Sequence, residues 1–370
     1  MTRITLLAGL ALLGFCLSLS TRGDAQSQAE VRQSFDMLVR HEPRPVRVAG
    51  RQRLVYELTL TNLAREPLDL VAVEVVDDDA RPIAAFAGEA LAAIVEPIGG
   101  AAEASRLRVE SGRVAIVYVE LDLPADRPLP RRLAHRLRFA GGRGSGGTAG
   151  GEAQVANGAI PSLGPPLRGG PWAAVYDPRL TNGHRRFVYA TTGRAIIPGR
   201  HAIDWMAAAP MPGDGFGAEV LAVADGRVIA LHDGMPEPEP RRPRPRLTLA
   251  EAAGNFIALD IGGGMTAYYE HLAPGLRVRL GDRVARGAVI GQVGSTGQAN
   301  RPHLHFHVST GSDSLASEGI PFALEGARIV GSYATIGEAA RGGAWTETTP
   351  LALGRGGDQT PPPNSVVRFD

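Results

Sequence analysis

Between Pro302 and Val308 the chain reads Pro-His-Leu-His-Phe-His-Val. Alternate side chains of a β-strand share a face, so His303, His305 and His307 fall on one side and Leu304, Phe306 and Val308 on the other. The apolar side belongs in a core. The imidazole side has to look into a wet or metal-bearing cleft, because three buried neighbouring imidazoles would each need a hydrogen-bond partner. The whole chain has 9 histidines, so three within five positions is a concentration and not background. A neutral imidazole is a good zinc ligand, and a second beside it can move protons near neutral pH.

A chain of 370 residues can hold two domains with their cores. Its net charge of +1 creates no strong field toward nucleic acid or a membrane surface. The coarse pattern is short strands with Gly- and Pro-rich turns between them, which predicts an all-β protein. Residues 1–25 read as a secretory signal peptide: Arg3, an apolar run from Leu6 to Leu19, and small residues at Gly23 and Ala25. The run is short for a membrane span, so removal of the signal leaves no span and places the protein in the periplasm or outside the cell. The one cysteine, Cys16, lies inside that run and follows Phe15, which argues against lipidation. The mature chain then has no disulfide, and any metal site must be built from His and carboxylate.

In order, residues 30–139 predict an immunoglobulin-like β-sandwich. Leu54–Thr61, Leu68–Val76, Val114–Leu121 and Leu133–Phe139 are strand-like runs separated by turn chemistry. No catalytic cluster lies there; His41 and His135 read as structural or solvent-facing, and the domain is expected to bind, space or position, a protein partner included. The Gly- and Pro-rich residues 140–170 read as a linker. Residues 171–335 carry the chemistry. Ile196–Trp205 reads as a strand, Val220–Leu231 as a hairpin turning at Asp225-Gly226, and Asn255–His271 as a hairpin turning at Gly262–Gly264. Residues 234–248 are too rich in proline for a central strand and predict an exposed loop, with His232 exposed beside it. Residues 336–370 read as a loose tail.

At this point an ordered run of motifs resembles a known family. Gly254-Asn255-Phe256-Ile257-Ala258-Leu259-Asp260, Tyr269-Glu270-His271-Leu272, Gly281-Asp282-Arg283-Val284, Gly291-Gln292-Val293-Gly294 and Pro302-His303-Leu304-His305-Phe306 resemble the lysostaphin/LytM-type zinc metallopeptidases over roughly residues 195–310. Any one motif alone is weak; their order is specific. The resemblance implies an antiparallel β metallopeptidase domain, one zinc ion per chain, and hydrolysis of peptide bonds in bacterial cell-wall peptidoglycan. It makes His305 and Asp204 zinc ligands, and His303 and His271 the catalytic histidines.

One departure stands out. The family's other ligand His lies four residues before the Asp, where this chain has Arg200. His201 is three before, and on a regular strand it would face away from Asp204. A bulge could turn His201 inward; otherwise His184, in Asn182-Gly183-His184-Arg185-Arg186, completes the site, as in a subset of the family. Parity favours His184, with His201 the alternative and a site without competent zinc the third reading. His307 stands where the family commonly has an acidic residue, and reads equally as a cleft-lining or a surface histidine. There is no HExxH helix, which excludes the thermolysin type of zinc site, and no Gly-x-Ser-x-Gly elbow or mature Cys for covalent catalysis. The expected function is a zinc metalloendopeptidase of peptidoglycan peptides. The alternative is a non-catalytic relative that binds wall or activates another wall hydrolase.

Overall fold

The computed structural model describes residues 32–99, 105–176, 183–209, 211–239, 246–353 and 359–370. The segment 1–25 read as a signal peptide, Asn182 and part of the Pro-rich loop (240–245) lie outside the described residues. The described chain is all-β: its two α-helices, Gly88–Ala92 and Ile336–Ala340, are about one turn each. Among the described residues no helix is long and apolar enough to cross a membrane.

Two facing sheets occupy the N-terminal part. One contains Arg51–Asn62 beside Val114–Leu123, with Val46–Val48, Val95–Ile98 and Phe35–Val39 at its flanks. The other runs Gly144–Gln154, Arg132–Gly141, Leu68–Val76, Pro82–Ala87, with the short Arg108–Val109 also paired to Leu68–Val76. Alternate residues of both, including Leu54, Leu58, Val73, Val75, Val117, Val119 and Leu137, close one apolar core. His135 is structural. It is fully buried, with Tyr56 Oη 2.9 Å from its Nε2 and the Gly151 carbonyl 2.9 Å from its Nδ1, and burial brings its pKa down to about 4.

The Gly-rich segment read as the start of a linker is a full strand, Gly144–Gln154, laid antiparallel on Arg132–Gly141. Glycine is required there by contact, not by looseness. A Cβ on Gly146 would stand 2.8 Å from the Phe139 ring, and one on Gly151 would stand 2.7 Å from Leu58 Cδ1. The rest of the expected linker is also packed: Ser162–Leu163 pairs in parallel with Ala323–Leu324, and Leu163 and Leu167 are buried. Residues 34–370 accordingly form one compact unit, not two beads on a string.

The C-terminal part is built on a ten-stranded antiparallel sheet. Its order is Arg283–Val284, Gly226–His232, Asn255–Gly262, Met265–Leu272, Leu304–Ser309, Ile203–Ala207, Trp172–Val175, Ser365–Phe369, Ala327–Ser332, Thr346–Ala352. Three expectations change here. The tail is not loose: Ser365–Phe369 lies between Trp172–Val175 and Ala327–Ser332, with Val366 and Val367 fully buried, so 171–335 omits a strand the sheet needs. Val220–Leu231 is not a hairpin, because Glu219–Leu221 pairs with Val289–Gln292 in a separate small sheet while Gly226–His232 joins the large one. Ile196–Trp205 is not one strand: a 3-10 turn at Pro198–His201 precedes the strand Ile203–Ala207, since Pro198 lacks the N–H a ladder needs.

Candidate metal centre

The strand Leu304–Ser309 lies between Met265–Leu272 and Ile203–Ala207. Its apolar face, Leu304, Phe306 and Val308, is fully buried with Trp205, Ile203 and Tyr269. Cross-strand register decides what shares the other face. His305 is opposite Asp204 on one side and Glu270 on the other, while Tyr268 is opposite His307. Directly opposed side chains project to the same side, so the pleat places Glu270, His305 and Asp204 in one row.

The imidazole face is less wet than the sequence suggests. His303, His305 and His307 are 4%, 7% and 3% exposed, and each has found a partner. The His305 Nδ1 is 3.0 Å from Asp204 Oδ1, and its Nε2 is 3.1 Å from His307 Nδ1. His307 stacks on Tyr268 with ring centroids 4.7 Å apart and planes 11° apart. It is therefore an interior partner of His305, not a surface histidine.

His184 enters from outside the sheet. It opens the 3-10 turn His184–Arg186, and its Nε2 is 3.2 Å from Asp204 Oδ2. Its ring centroid is 4.5 Å from that of His305. His184, Asp204 and His305 each offer a ligand atom, all within 4.8 Å of one another. Two imidazoles and a carboxylate are the donor set of an open zinc site. His201 is not part of this cluster. Its turn carries it among Arg200, Arg185 and Glu57, where burial and the two guanidiniums bring it down to about 3. A second group, Glu270 with His305 and His307, also meets the same distance test.

His271 breaks the alternation of its strand. Ala267 and Tyr269 point into the core, and by parity His271 should follow them. Its φ of +64° lies in the left-handed region and re-aims the side chain. The ring centroid comes to 4.8 Å from that of His303. The Nδ1 of His271 sits 2.9 Å from the Thr296 carbonyl, and the Nδ1 of His303 sits 2.8 Å from the Arg301 carbonyl. A carbonyl only accepts, so both Nδ1 atoms carry the proton and both Nε2 atoms present a lone pair. His303 Nε2 is 3.5 Å from Asp204 Oδ1.

The electrostatics separate these groups. Burial would raise the Asp204 carboxyl, but His184 and His303 beside it hold it well below its ordinary value. Burial and the neighbouring His303 and His305 hold His271 well below the usual imidazole range, and burial also lowers His303. Burial would likewise depress His305, but Glu270 and Asp204 outweigh it and raise the group. Burial raises Glu270 itself. Burial thus shifts both members of the pair His271–His303 toward the neutral form, while His305 is shifted the other way. A cavity of about 350 Å³ opens next to it, lined by His184, Asp204, Tyr176, Met206 and Phe322 among others.

Two roles here leave no mark in the motifs: that of Glu270 beside His305 and the anchoring of Arg200. Glu270 is signalled only by its place before His271. Arg200, which holds the family's ligand position, is 9% exposed and bonded away from the centre: its Nε donates to Glu57 Oε2 at 2.8 Å, and its guanidinium pairs with Glu318. Glu57 also accepts from Arg185 Nε at 2.8 Å.

Comparison with known proteins bears on the same residues. The model for Peptidase family M23 matches residues 213–317, a stretch that contains His271, His303 and His305; His184 and Asp204 precede it. Glycyl-glycine endopeptidase ALE-1 of Staphylococcus capitis is 42% identical over 72 residues, 19% of this chain and 20% of that protein. Lysostaphin of Staphylococcus simulans is 42% identical over 72 residues, 19% of this chain and 14% of that protein. The match therefore spans a fifth or less of these relatives' own length. Among solved structures, the catalytic domain of lysostaphin from Staphylococcus simulans aligns at 24% identity over 36% of this chain and 85% of that one, with a TM-score of 0.25. A zinc-containing peptidase from Vibrio cholerae aligns at 16% identity over 69% and 77%, with a TM-score of 0.26. Residues 213–317 of this all-β chain are thus similar to peptidase family M23.

Proposed function

We propose that the protein is a zinc metalloendopeptidase that hydrolyses peptide bonds of peptidoglycan. The observation that carries the reading is the convergence of His184, Asp204 and His305 beside His303 and His271, whose rings lie 4.8 Å apart and whose Nδ1 atoms are each held by a backbone carbonyl. His184, Asp204 and His305 would hold one zinc ion. Bound there, zinc would polarise a scissile carbonyl and lower the pKa of a water at its open position. His303 and His271, neutral because they are buried, would accept the proton of the attacking water and hydrogen-bond the developing oxyanion. The carbonyls of Thr296 and Arg301 fix both rings in the tautomer this requires. His307, against the far nitrogen of His305, and Glu270 orient that ligand. Peptidoglycan as substrate draws support from the motif resemblance to the lysostaphin/LytM-type peptidases and from the export signal read at residues 1–25, which also makes the periplasm or the exterior its location.

A second reading is a non-catalytic relative that binds wall or activates another hydrolase. It is favoured by Arg200 at the family's ligand position and by the low exposure of the histidines. Metal analysis of the purified chain separates the two. The enzyme reading expects close to one zinc per chain, lost in Asp204→Ala, and wall-degrading activity lost in His303→Ala with zinc retained. A metal-free chain that binds wall fragments without releasing peptide would refute it.

A further inference from the structure

Two of the three donors are fixed by the sheet: Asp204 and His305 are opposite one another on adjacent strands. His184 has no such support, because it stands on a one-turn helix with no side-chain cap. What holds it is the residue that follows. Arg185 is 6% exposed and runs into the N-terminal sandwich, where its Nη2 donates to the carbonyls of Tyr56 at 2.7 Å and Val119 at 2.8 Å. Its Nε donates to Glu57 Oε1 at 2.8 Å. Arg186 adds a second anchor, with its guanidinium 4.0 Å above the Tyr118 ring.

The other carboxylate oxygen of Glu57 accepts from Arg200 Nε, also at 2.8 Å. Arg200 belongs to the turn Pro198–His201 that feeds the Asp204 strand. The two turns touch: a Cβ on Gly199 would lie 2.8 Å from His184 Cβ and 3.1 Å from its carbonyl oxygen. One carboxylate of the sandwich therefore braces both segments that lead to donors. We infer that Glu57, clamped between Arg185 and Arg200, is a positioning residue for His184, so that the N-terminal sandwich is a working part of the metal centre. This rests on reading His184 as a ligand. It also assigns the sandwich a task other than wall binding, and explains why an arginine occupies the family's ligand position: here that position is tied to the strand that steadies the replacement.

The test is Co2+ and Zn2+ affinity of the full chain by competition with a chelator, together with the Co2+ absorption spectrum, for wild type, Glu57→Gln and His305→Ala. Outer-shell partners of metal ligands typically contribute about 10–100-fold in affinity. Glu57→Gln should weaken binding within that range and alter the Co2+ band, while His305→Ala abolishes both. Glutamine takes the shared carboxylate from two buried guanidiniums, so Glu57→Leu/Arg185→Met/Arg200→Met is measured in parallel; apolar replacement of a buried charge cluster often preserves folding. Folding of each variant is checked by circular dichroism at the temperature of the titration. A folded variant with unchanged affinity and spectrum overturns the inference and leaves the zinc-site reading standing. A wild-type chain that takes up neither ion overturns both.

Discussion

Substituting Glu57 by glutamine should destabilise the metal-free protein in a pH-dependent way. Glu57 is 9% exposed and accepts from two arginines at 2.8 Å each. Burial alone would raise its carboxyl, yet Arg200 and Arg185 bring it from 4.5 down to about 2. At ~1.4 kcal/mol per tenfold change in proton affinity, that is roughly 3 kcal/mol of folded-state preference for the carboxylate. Because the folded value is the lower one, the stabilisation is complete above the unfolded value and disappears as pH falls toward the folded one. Glutamine is neutral throughout and mimics the protonated acid. The wild-type minus Glu57→Gln gap should therefore be about 3 kcal/mol near neutral pH, begin to narrow near pH 4.5, and be largely gone near pH 2. Urea unfolding in EDTA, followed by the fluorescence of the buried Trp172 and Trp205, measures the gap without metal linkage. A gap that stays the same from neutral pH down to about pH 3 would mean the cost is packing, and the charge argument would be wrong.

Three further outcomes are expected. His201→Ala should keep its zinc and its activity within about twofold, because the ring lies outside the donor cluster, whereas His184→Ala should lose the metal; equal losses in the two would reverse the ligand assignment. Gly254→Ala should cost on the order of 1–3 kcal/mol in a thermal melt and lower kcat more than zinc content: Gly254 has a φ of +66°, and a Cβ there would lie 2.4 Å from Thr296 Oγ1, displacing the residue that fixes the His271 tautomer. Deleting residues 359–370 removes Val366, Val367 and Phe369 from the core, roughly 5–9 kcal/mol at ~1.5–3 each; that rivals a typical domain's entire stability, so the truncated chain should show no cooperative unfolding transition.

What could be read from the residues alone follows from how local the cause is. A period of two at His303–Val308 is a local cause, so the central strand and its two faces were legible. So was the choice between His184 and His201 as a question, since parity posed it; only the turn at Pro198–His201 explains why His201 lies near Arg200, Arg185 and Glu57 instead. The re-aimed His271 was not legible, because a positive φ on a non-glycine residue leaves no compositional trace. Nor was the brace at Glu57, whose partners are 128 and 143 residues away along the chain. Composition misled at Gly144–Gln154 and at the C-terminal segment. Glycine there marks side chains packed from the facing strand, and the prolines before Ser365–Phe369 hide a short apolar strand with the burial pattern of an interior one.

The position of Ser365–Phe369 also bears on how the molecule is made. Trp172–Val175 and Ala327–Ser332 are both synthesised before the strand that separates them, and pairs such as Trp172 with Val367 close only once residue 367 has been made. Such distant pairing slows folding. Until it happens, two strand edges with unpaired backbone groups face the surroundings. A newly made chain therefore passes through an interval of stickiness that ends when Ser365–Phe369 is in place, and chaperone dependence or aggregation during production should track that closing event, not the assembly of the histidine strand.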